Sequence, residues 1–331
     1  MRNRSTTTVL AASMVVATLA ACGGEGESSA TDSADGELTP VTIGIMSVAN
    51  MAPLYLGIEH GFFEDEGLDV ELVVAQGGAA IVPSVISGDF AFGYGNVVSL
   101  MQARDRDLDV QIVAGSTQSA QDEASIANGL LVAPDSEITD LEDIAGHSVA
   151  VTTLNNAGEL TTRATLEAAG VDVSTVEFLE MGFPEMNEAV LAGHVDVAWQ
   201  AEPFVTMGES EGMVNIADPY LGTLPRLDAA VYFSSEAFVD SDPDTVAAFQ
   251  RALGTSIDYA LEHEDESRAI VLTFTEIPES VANEMVLAQY SPVVNMASIE
   301  LQADLALEYG MIENPVDVDA LLADGSRAEG E

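Results

Sequence analysis

Lysine is absent from the 331 residues, and the nine basic residues are all arginines, set against 56 acidic ones. The resulting formal net charge of −47 excludes a nucleic-acid-binding surface and disfavours anionic membranes, because both would be repelled. Such a surface keeps a chain soluble. It also suits a saline medium, where counterions screen self-repulsion. Cysteine occurs once, at Cys22, so no internal disulfide forms. The four histidines, His60, His147, His194 and His263, are scattered without metal-ligand spacing, each near an expected helix end or turn. Neither a Ser/His/Asp arrangement nor a phosphate loop is present. No metal, cofactor or catalytic residue is expected.

Long apolar runs are missing too. Val9–Ala17 is an apolar stretch behind Arg2 and Arg4, shorter than the about 20 residues a membrane helix needs. The order of positive charge, apolar core and small residues marks a secretion signal over residues 1–21. Leu19-Ala20-Ala21-Cys22 resembles the lipobox of bacterial lipoproteins, which implies acylation of Cys22 and an extracytoplasmic, membrane-anchored protein; the alternative is a plain secreted chain. Residues 22–39 are acidic and nearly free of apolar side chains, as a flexible tether is.

What remains, residues 40–331, is long enough for two lobes with real cores. Two stretches share one layout. The first has a strand at Val41–Ile45, a polar loop at Ser47–Asn50 and a helix at Pro53–His60. A strand at Glu71–Ala75, a Gln76-Gly77-Gly78 loop, a helix to Ser87 and a strand at Phe90–Gly93 follow. The second has a strand at Ser148–Val151, a polar loop at Thr152–Asn156 and a helix to Ala169. A strand at Val176–Leu179, a loop at Met181–Pro184, a helix to Ala192 and a strand at Val195–Trp199 follow. Gly67 and Gly88 punctuate the first stretch, and Gly170 and Gly193 the second. Glycine stops a helix by adopting a left-handed conformation without a Cβ clash. Each stretch is therefore a β-α-β-α-β unit, and two units imply two α/β lobes.

Leu130–Ala133 passes towards the second lobe, and Ala229–Phe233 is a return strand. After Asp242-Pro243, a helix cap with proline at the first position, the tail is expected to be helical and to pack on the first lobe. Val246, Phe249, Leu253, Ile257 and Ala260 fit one helical face, and further helices are expected at 279–289 and 299–309. The expected division is 40–128 plus 232–331 for lobe one and 129–231 for lobe two. Two crossings make a two-stranded hinge that suits closure around a ligand.

Met51-Ala52-Pro53-Leu54-Tyr55-Leu56-Gly57, Gly61-Phe62-Phe63, Glu66-Gly67-Leu68-Asp69-Val70, Ser87-Gly88-Asp89, Asp140–Gly146 and Glu202-Pro203-Phe204 resemble the nitrate/taurine/alkanesulfonate and thiamine-precursor (NMT1/THI5-like) group of solute-binding proteins. The resemblance covers most of residues 41–240. It implies a type II periplasmic-binding-protein fold, a ligand in the cleft between the lobes and delivery to an ABC permease with its ATPase, without settling the ligand; a monomer is expected. Fungal pyrimidine synthases share that fold but carry a cysteine-rich motif and iron-binding histidines; this chain has no cysteine after Cys22. An enzyme of that type and a ligand-sensing lipoprotein are the alternatives.

Ligands of open α/β sheets bind beyond the carboxyl ends of strands. That rule nominates Ser47, Asn50, Gln76, Gly77, Tyr94, Asn96, Ser116 and Thr117 in the first lobe. In the second it nominates Thr152, Thr153, Asn155, Asn156, Phe183, Trp199, Gln200 and Glu202. Each has a second explanation: Ser47, Asn50 and Asn155 as helix caps, Gln76-Gly77 as a plain turn, Tyr94, Phe183 and Trp199 as core aromatics, Glu202 as a structural Glu-Pro. The loops before residues 53 and 157 open helices, whose free N–H groups can hold an anion. Arg226 is the one arginine placed to reach the cleft, with a surface ion pair as the alternative. Scarce cations shift the expected ligand from simple anions towards organic solutes: sulfonate- or taurine-like, pyrimidine or aromatic, or amine-bearing.

Overall fold

The glycine-punctuated repeat folds into two sheets of matching design. The structure, a computed structural model, describes residues 38–328 apart from 76–77 and 123–124. In chain order the first part comprises β1 (Thr39–Ile45), α1 (Ala52–Glu59), α2 (Phe62–Asp65), β2 (Leu68–Val74), α3 (Gly78–Ser87), β3 (Phe92–Gly95), α4 (Val97–Asp105) and β4 (Val110–Gln118). Next come β5 (Asn128–Val132), β6 (Ser148–Val151), α5 (Ala157–Ala168), β7 (Glu177–Glu180), α6 (Phe183–Leu191), β8 (Val197–Ala201), α7 (Phe204–Ser210), β9 (Val214–Asn215) and α8 (Pro219–Thr223). The chain closes with β10 (Asp228–Ser235), α9 (Glu236–Ser241), α10 (Pro243–Glu262), α11 (Glu264–Phe274), α12 (Glu279–Glu284), β11 (Gln289–Tyr290) and α13 (Met296–Glu308).

One sheet has the order β11-β4-β10-β3-β1-β2 and the other β7-β6-β8-β5-β9. In each, the first strand of the repeat lies between its two parallel partners, β2 and β3 about β1, and β7 and β8 about β6. An antiparallel strand then joins, β10 beside β3 and β5 beside β8. The four punctuating glycines all have positive φ: 80° at Gly67, 81° at Gly88, 85° at Gly170 and 70° at Gly193. That is the conformation in which a Cβ costs about 1–2 kcal/mol.

Several boundaries move. β3 begins at Phe92 rather than 90, because the N–H groups of Phe90 and Ala91 bond to Ser84 and Thr42 while the chain leaves α3. β8 begins at Val197 rather than 195 for a similar reason: His194 N–H still closes α6 on Ala189. The helix expected over 279–289 ends at Glu284, since Gln289 and Tyr290 pair with the edge of β4. The return strand joins the first sheet at Asp228, opposite Gln118, so the expected lobe boundary at 231 falls inside β10.

The expected face of α10 is buried: Val246, Phe249, Leu253, Ile257 and Ala260. Asp242 caps this helix by accepting the Thr245 N–H at 3.2 Å. Phe249 stacks on Phe92 at 4.1 Å between ring centroids, which fixes the tail helix to the first sheet. On the opposite sheet face Ile112, Val231 and Phe233 meet α3 and α4. The two sheets are joined by two chain crossings, after β4 and before β10. These crossings bond to each other: Ser119 N–H donates to Leu227 O at 2.8 Å, and Leu227 N–H donates to Ser119 Oγ at 2.9 Å. Among the described residues no helix is long and apolar enough to cross a membrane.

Candidate functional site

Strand ends of both lobes converge at the hinge. An inner cavity of about 60 Å³ is walled by Asn50, Tyr94 and Asn96 from the first lobe. Asn128, Thr152, Asn156, Phe183, Trp199 and Tyr220 wall it from the second, and Ala229 and Ala230 from the hinge strand. It opens past Met46, Val48, Thr152 and Phe183 into an outer pocket of about 520 Å³, which Glu180 and Glu185 also line. Together they reach the about 300–1,000 Å³ usual for small-molecule sites.

Aromatic rings form the walls. Tyr94 and Trp199 sit on corresponding strands of the repeat, β3 and β8. Trp199 stacks with Phe183 at 5.6 Å and meets Tyr220 edge-on at 5.7 Å; Phe183 also stacks with Phe204 at 5.6 Å. The indole packs against the start of α5 closely enough that a Cβ on Gly158 would stand 2.9 Å from it. Trp199 Nε1 is buried without a hydrogen-bond partner among the described residues. Tyr94 meets Tyr232 edge-on at 5.4 Å. Burial pushes its phenol up to about 12, partly opposed by Asn50, Thr117 and Ser116 beside it. Burial also raises Tyr220 far above the usual tyrosine range.

Asparagines supply the polar groups, and two of them cap the helices behind the cavity. Asn96 Oδ1 accepts the Ser99 N–H at 2.9 Å at the start of α4. Asn156 Oδ1 accepts the N–H groups of Gly158 and Glu159 at the start of α5, and its amide donates to Thr152 Oγ1 at 3.0 Å. The N–H groups expected to hold an anion before residue 157 are therefore taken by a side chain. α1 is entered through a tight turn at Ala49–Met51, and the Ala52 N–H is bonded to Ala49 O.

Of the nominated residues, Asn50, Tyr94, Asn96, Thr152, Asn156, Phe183 and Trp199 line the inner cavity, and Ser47 and Thr153 the outer pocket. Ser47 Oγ donates to Phe274 O. Ser116 and Thr117 are buried in β4 near the Tyr94 phenol. Gln76, Gly77 and Cys22 lie outside the described residues. Four nominations are corrected. Gln200 follows Trp199 along a strand, so its side chain takes the opposite face, where its amide donates to Asn187 Oδ1 and Phe183 O. Asn155 is exposed with φ 56°, and its N–H is held by Glu159 Oε2 at 2.7 Å; its neighbour Asn156 is the cap and the cleft residue. Glu202 is buried and accepts from Thr206 N–H, Thr206 Oγ1 and Val286 N–H, with burial raising its carboxyl above the usual range. It lines a different cavity. Arg226 is exposed, at φ 58°, and donates to Gln118 Oε1 at 3.2 Å.

Sequence reasoning missed Tyr220 and Asn128. Asp218-Pro219 caps α8, with Asp218 Oδ1 accepting from Tyr220 and Leu221. It is the same signal used at Asp242-Pro243, and it sets Tyr220 against Trp199. Asn128 had no local signal; it pairs with Ala201 across β5 and β8.

Two sheets with parallel cores, a paired hinge and a cleft at the strand ends define the type II periplasmic-binding-protein fold. Residues 48–267 match the family described as NMT1/THI5-like, and the chain belongs to that family. A formylaminopyrimidine-binding protein of Halalkalibacterium halodurans is 25% identical over 223 residues, 66% of this chain and 65% of the relative. A 4-amino-5-hydroxymethyl-2-methylpyrimidine phosphate synthase of Aspergillus parasiticus is 22% identical over 223 residues, 63% of each chain. The chain thus matches under two thirds of the length of these relatives. The ligand-binding component of an ABC-type import system from Staphylococcus aureus superposes with a TM-score of 0.74 at 15% identity, over 88% of this chain and 100% of that one, a likeness of fold.

Proposed function

We propose that the chain is the lipid-anchored, extracytoplasmic receptor of an ABC importer, and that its cleft takes an uncharged heteroaromatic solute of the pyrimidine class. One observation carries the reading: aromatic rings and side-chain amides wall the inner cavity, and among the described residues none that lines it bears a formal charge. Flat rings stack on such walls, and amides serve ring nitrogens and exocyclic amino groups as donor and acceptor at once. Trp199 Nε1 offers one more donor. A sulfonate or nitrate would enter past Glu180 and Glu185 and meet no cation among the described residues of the inner cavity. The formylaminopyrimidine-binding relative supports the same ligand class.

Catalysis of the synthase type finds little support in the cleft. The titratable groups of the inner cavity are Tyr94 and Tyr220, and burial raises both, away from the range useful to a general base near neutral pH. Anchoring through Cys22 follows from the lipobox resemblance and is tested by labelling with radioactive palmitate, which a Cys22→Ser variant should abolish. Ligand class is tested by thermal shift against formylaminopyrimidine, alkanesulfonates, taurine and nitrate. A solute at 100 times its Kd adds about 2.7 kcal/mol of stability, so the pyrimidine should raise Tm and the anions should not. A response confined to sulfonate would overturn the assignment.

A further inference from the structure

A larger cavity, of about 720 Å³, shares no lining residue with the cleft. Glu202 and Asp218 are its buried acids; Glu209 and Glu284 are exposed at its rim. Among the described residues, none that lines it is basic. Val205, Ile216, Leu221 and Val286 supply apolar wall. Both oxygens of Glu202 are occupied, by Thr206 and Val286. Asp218 is different. It is 5% exposed, its Oδ1 caps α8, and its Oδ2 is buried with no partner among the described residues. Asn215 Oδ1, in the same wall, is buried and unpartnered too. Burying two acceptors without donors is unfavourable. The site is therefore short of N–H donors and positive charge, and it is large enough for a small organic molecule.

We propose that this cavity is a second ligand site, for an organic cation that joins an N–H-rich head to a hydrocarbon stem, of the alkylguanidinium type. The planar head offers several donors to Asp218 and Asn215 while staying charged, and the stem covers the apolar wall. Glu284 and Val286 belong to the tail, which returns to the first sheet through β11, whereas the other lining residues belong to the hinge segment and the second lobe. An occupant would touch both sides and so bind the closed arrangement more tightly. The proposal does not depend on the importer reading, because it concerns different residues and a different ligand class.

At a net charge of −47 any cation screens repulsion, so the probe needs a matched control. The test is calorimetric titration of the purified protein with butylguanidinium chloride, beside tetramethylammonium chloride at the same ionic strength. Butylguanidinium should bind saturably at one site; tetramethylammonium, which has no N–H donor, should not. Asp218→Asn should weaken binding at least about tenfold, the usual loss with a charged hydrogen-bond partner, and asparagine can still cap α8. Glu209→Gln, on the exposed rim, should weaken it about twofold to fivefold, as expected for a partly screened charge. Glu264→Gln, outside the cavity, should leave it unchanged. Equal responses to the two cations, no saturable binding, or full affinity in both Asp218→Asn and Glu209→Gln would overturn the proposal.

Discussion

Asp228 opens the return strand of the hinge, and its carboxyl sets a pH dependence that one substitution isolates. Its Oδ1 accepts from Gln118 Nε2 at 3.0 Å and its Oδ2 from Asn295 N–H at 2.9 Å. Its own N–H donates to Ser298 Oγ at 2.7 Å. Burial nevertheless dominates and pushes the carboxyl from 3.8 up to about 6. A group raised in the folded state contributes stability that is complete below its unfolded value. That contribution is lost as pH climbs through the folded value. At about 1.4 kcal/mol per tenfold change in proton affinity, the full loss is about 3 kcal/mol between roughly pH 3 and pH 7, of which about 2 kcal/mol falls between pH 4.5 and pH 7.5. Asparagine fills the same space and carries no charge at any pH. It turns one amide hydrogen towards Asn295 N–H, a cost of about 1–3 kcal/mol that stays constant with pH. Urea unfolding of wild type and Asp228→Asn at pH 4.5, 5.5, 6.5 and 7.5, at constant ionic strength, gives the difference directly. The variant should gain about 2 kcal/mol on wild type across the series. The wider loss of stability from net negative charge, and from Asp218, which burial also raises to about 6, is common to both proteins and cancels. Parallel curves would refute the assignment of a buried, charge-averse carboxyl to the hinge.

Gly158→Ala would drive a Cβ to 2.9 Å from the Trp199 ring; it should cost about 1–3 kcal/mol by overpacking, shift tryptophan emission and weaken ligand capture, all visible by fluorescence. Phe249→Ala removes the ring stacked on Phe92 and should cost about 3–5 kcal/mol by urea unfolding, with ligand affinity retained where the protein stays folded. Tm should rise with added NaCl as counterions screen the −47 net charge; a flat or falling curve by calorimetry would remove the saline-medium explanation.

The fold was legible because its punctuation is physical. Gly67, Gly88, Gly170 and Gly193 all need a left-handed backbone, and their repetition exposes two β-α-β-α-β units before any contact is known. The correspondence of Tyr94 with Trp199 came from the same repeat. Side-chain direction was less accessible. Gln200 lies beside Trp199 in sequence but on the other face of β8, so a shift of strand start by two residues leaves the nomination plausible and its orientation hidden. Asn155 and Asn156 differ by one residue, and only backbone geometry decides which of them caps α5. Glu202 and Arg226 were attractive because they were charged. Long-range partners decide their roles, Val286 for Glu202 and Gln118 for Arg226, and these lie 84 and 108 residues away in the chain. The helix expected over 279–289 stops at Glu284, and Gln289 and Tyr290 pair with β4 instead, which is also a long-range event.

The proposed binding mode places a neutral aromatic solute between Tyr94 and Trp199 at the hinge. Trp199 is the single tryptophan, so intrinsic emission reports this wall of the cleft alone. Titration of the purified protein with formylaminopyrimidine, followed at Trp199, should give a saturable change in emission that alkanesulfonate and nitrate do not produce. Saturable binding of sulfonate with no response to the pyrimidine, or pyrimidine binding that leaves the emission untouched, would contradict it.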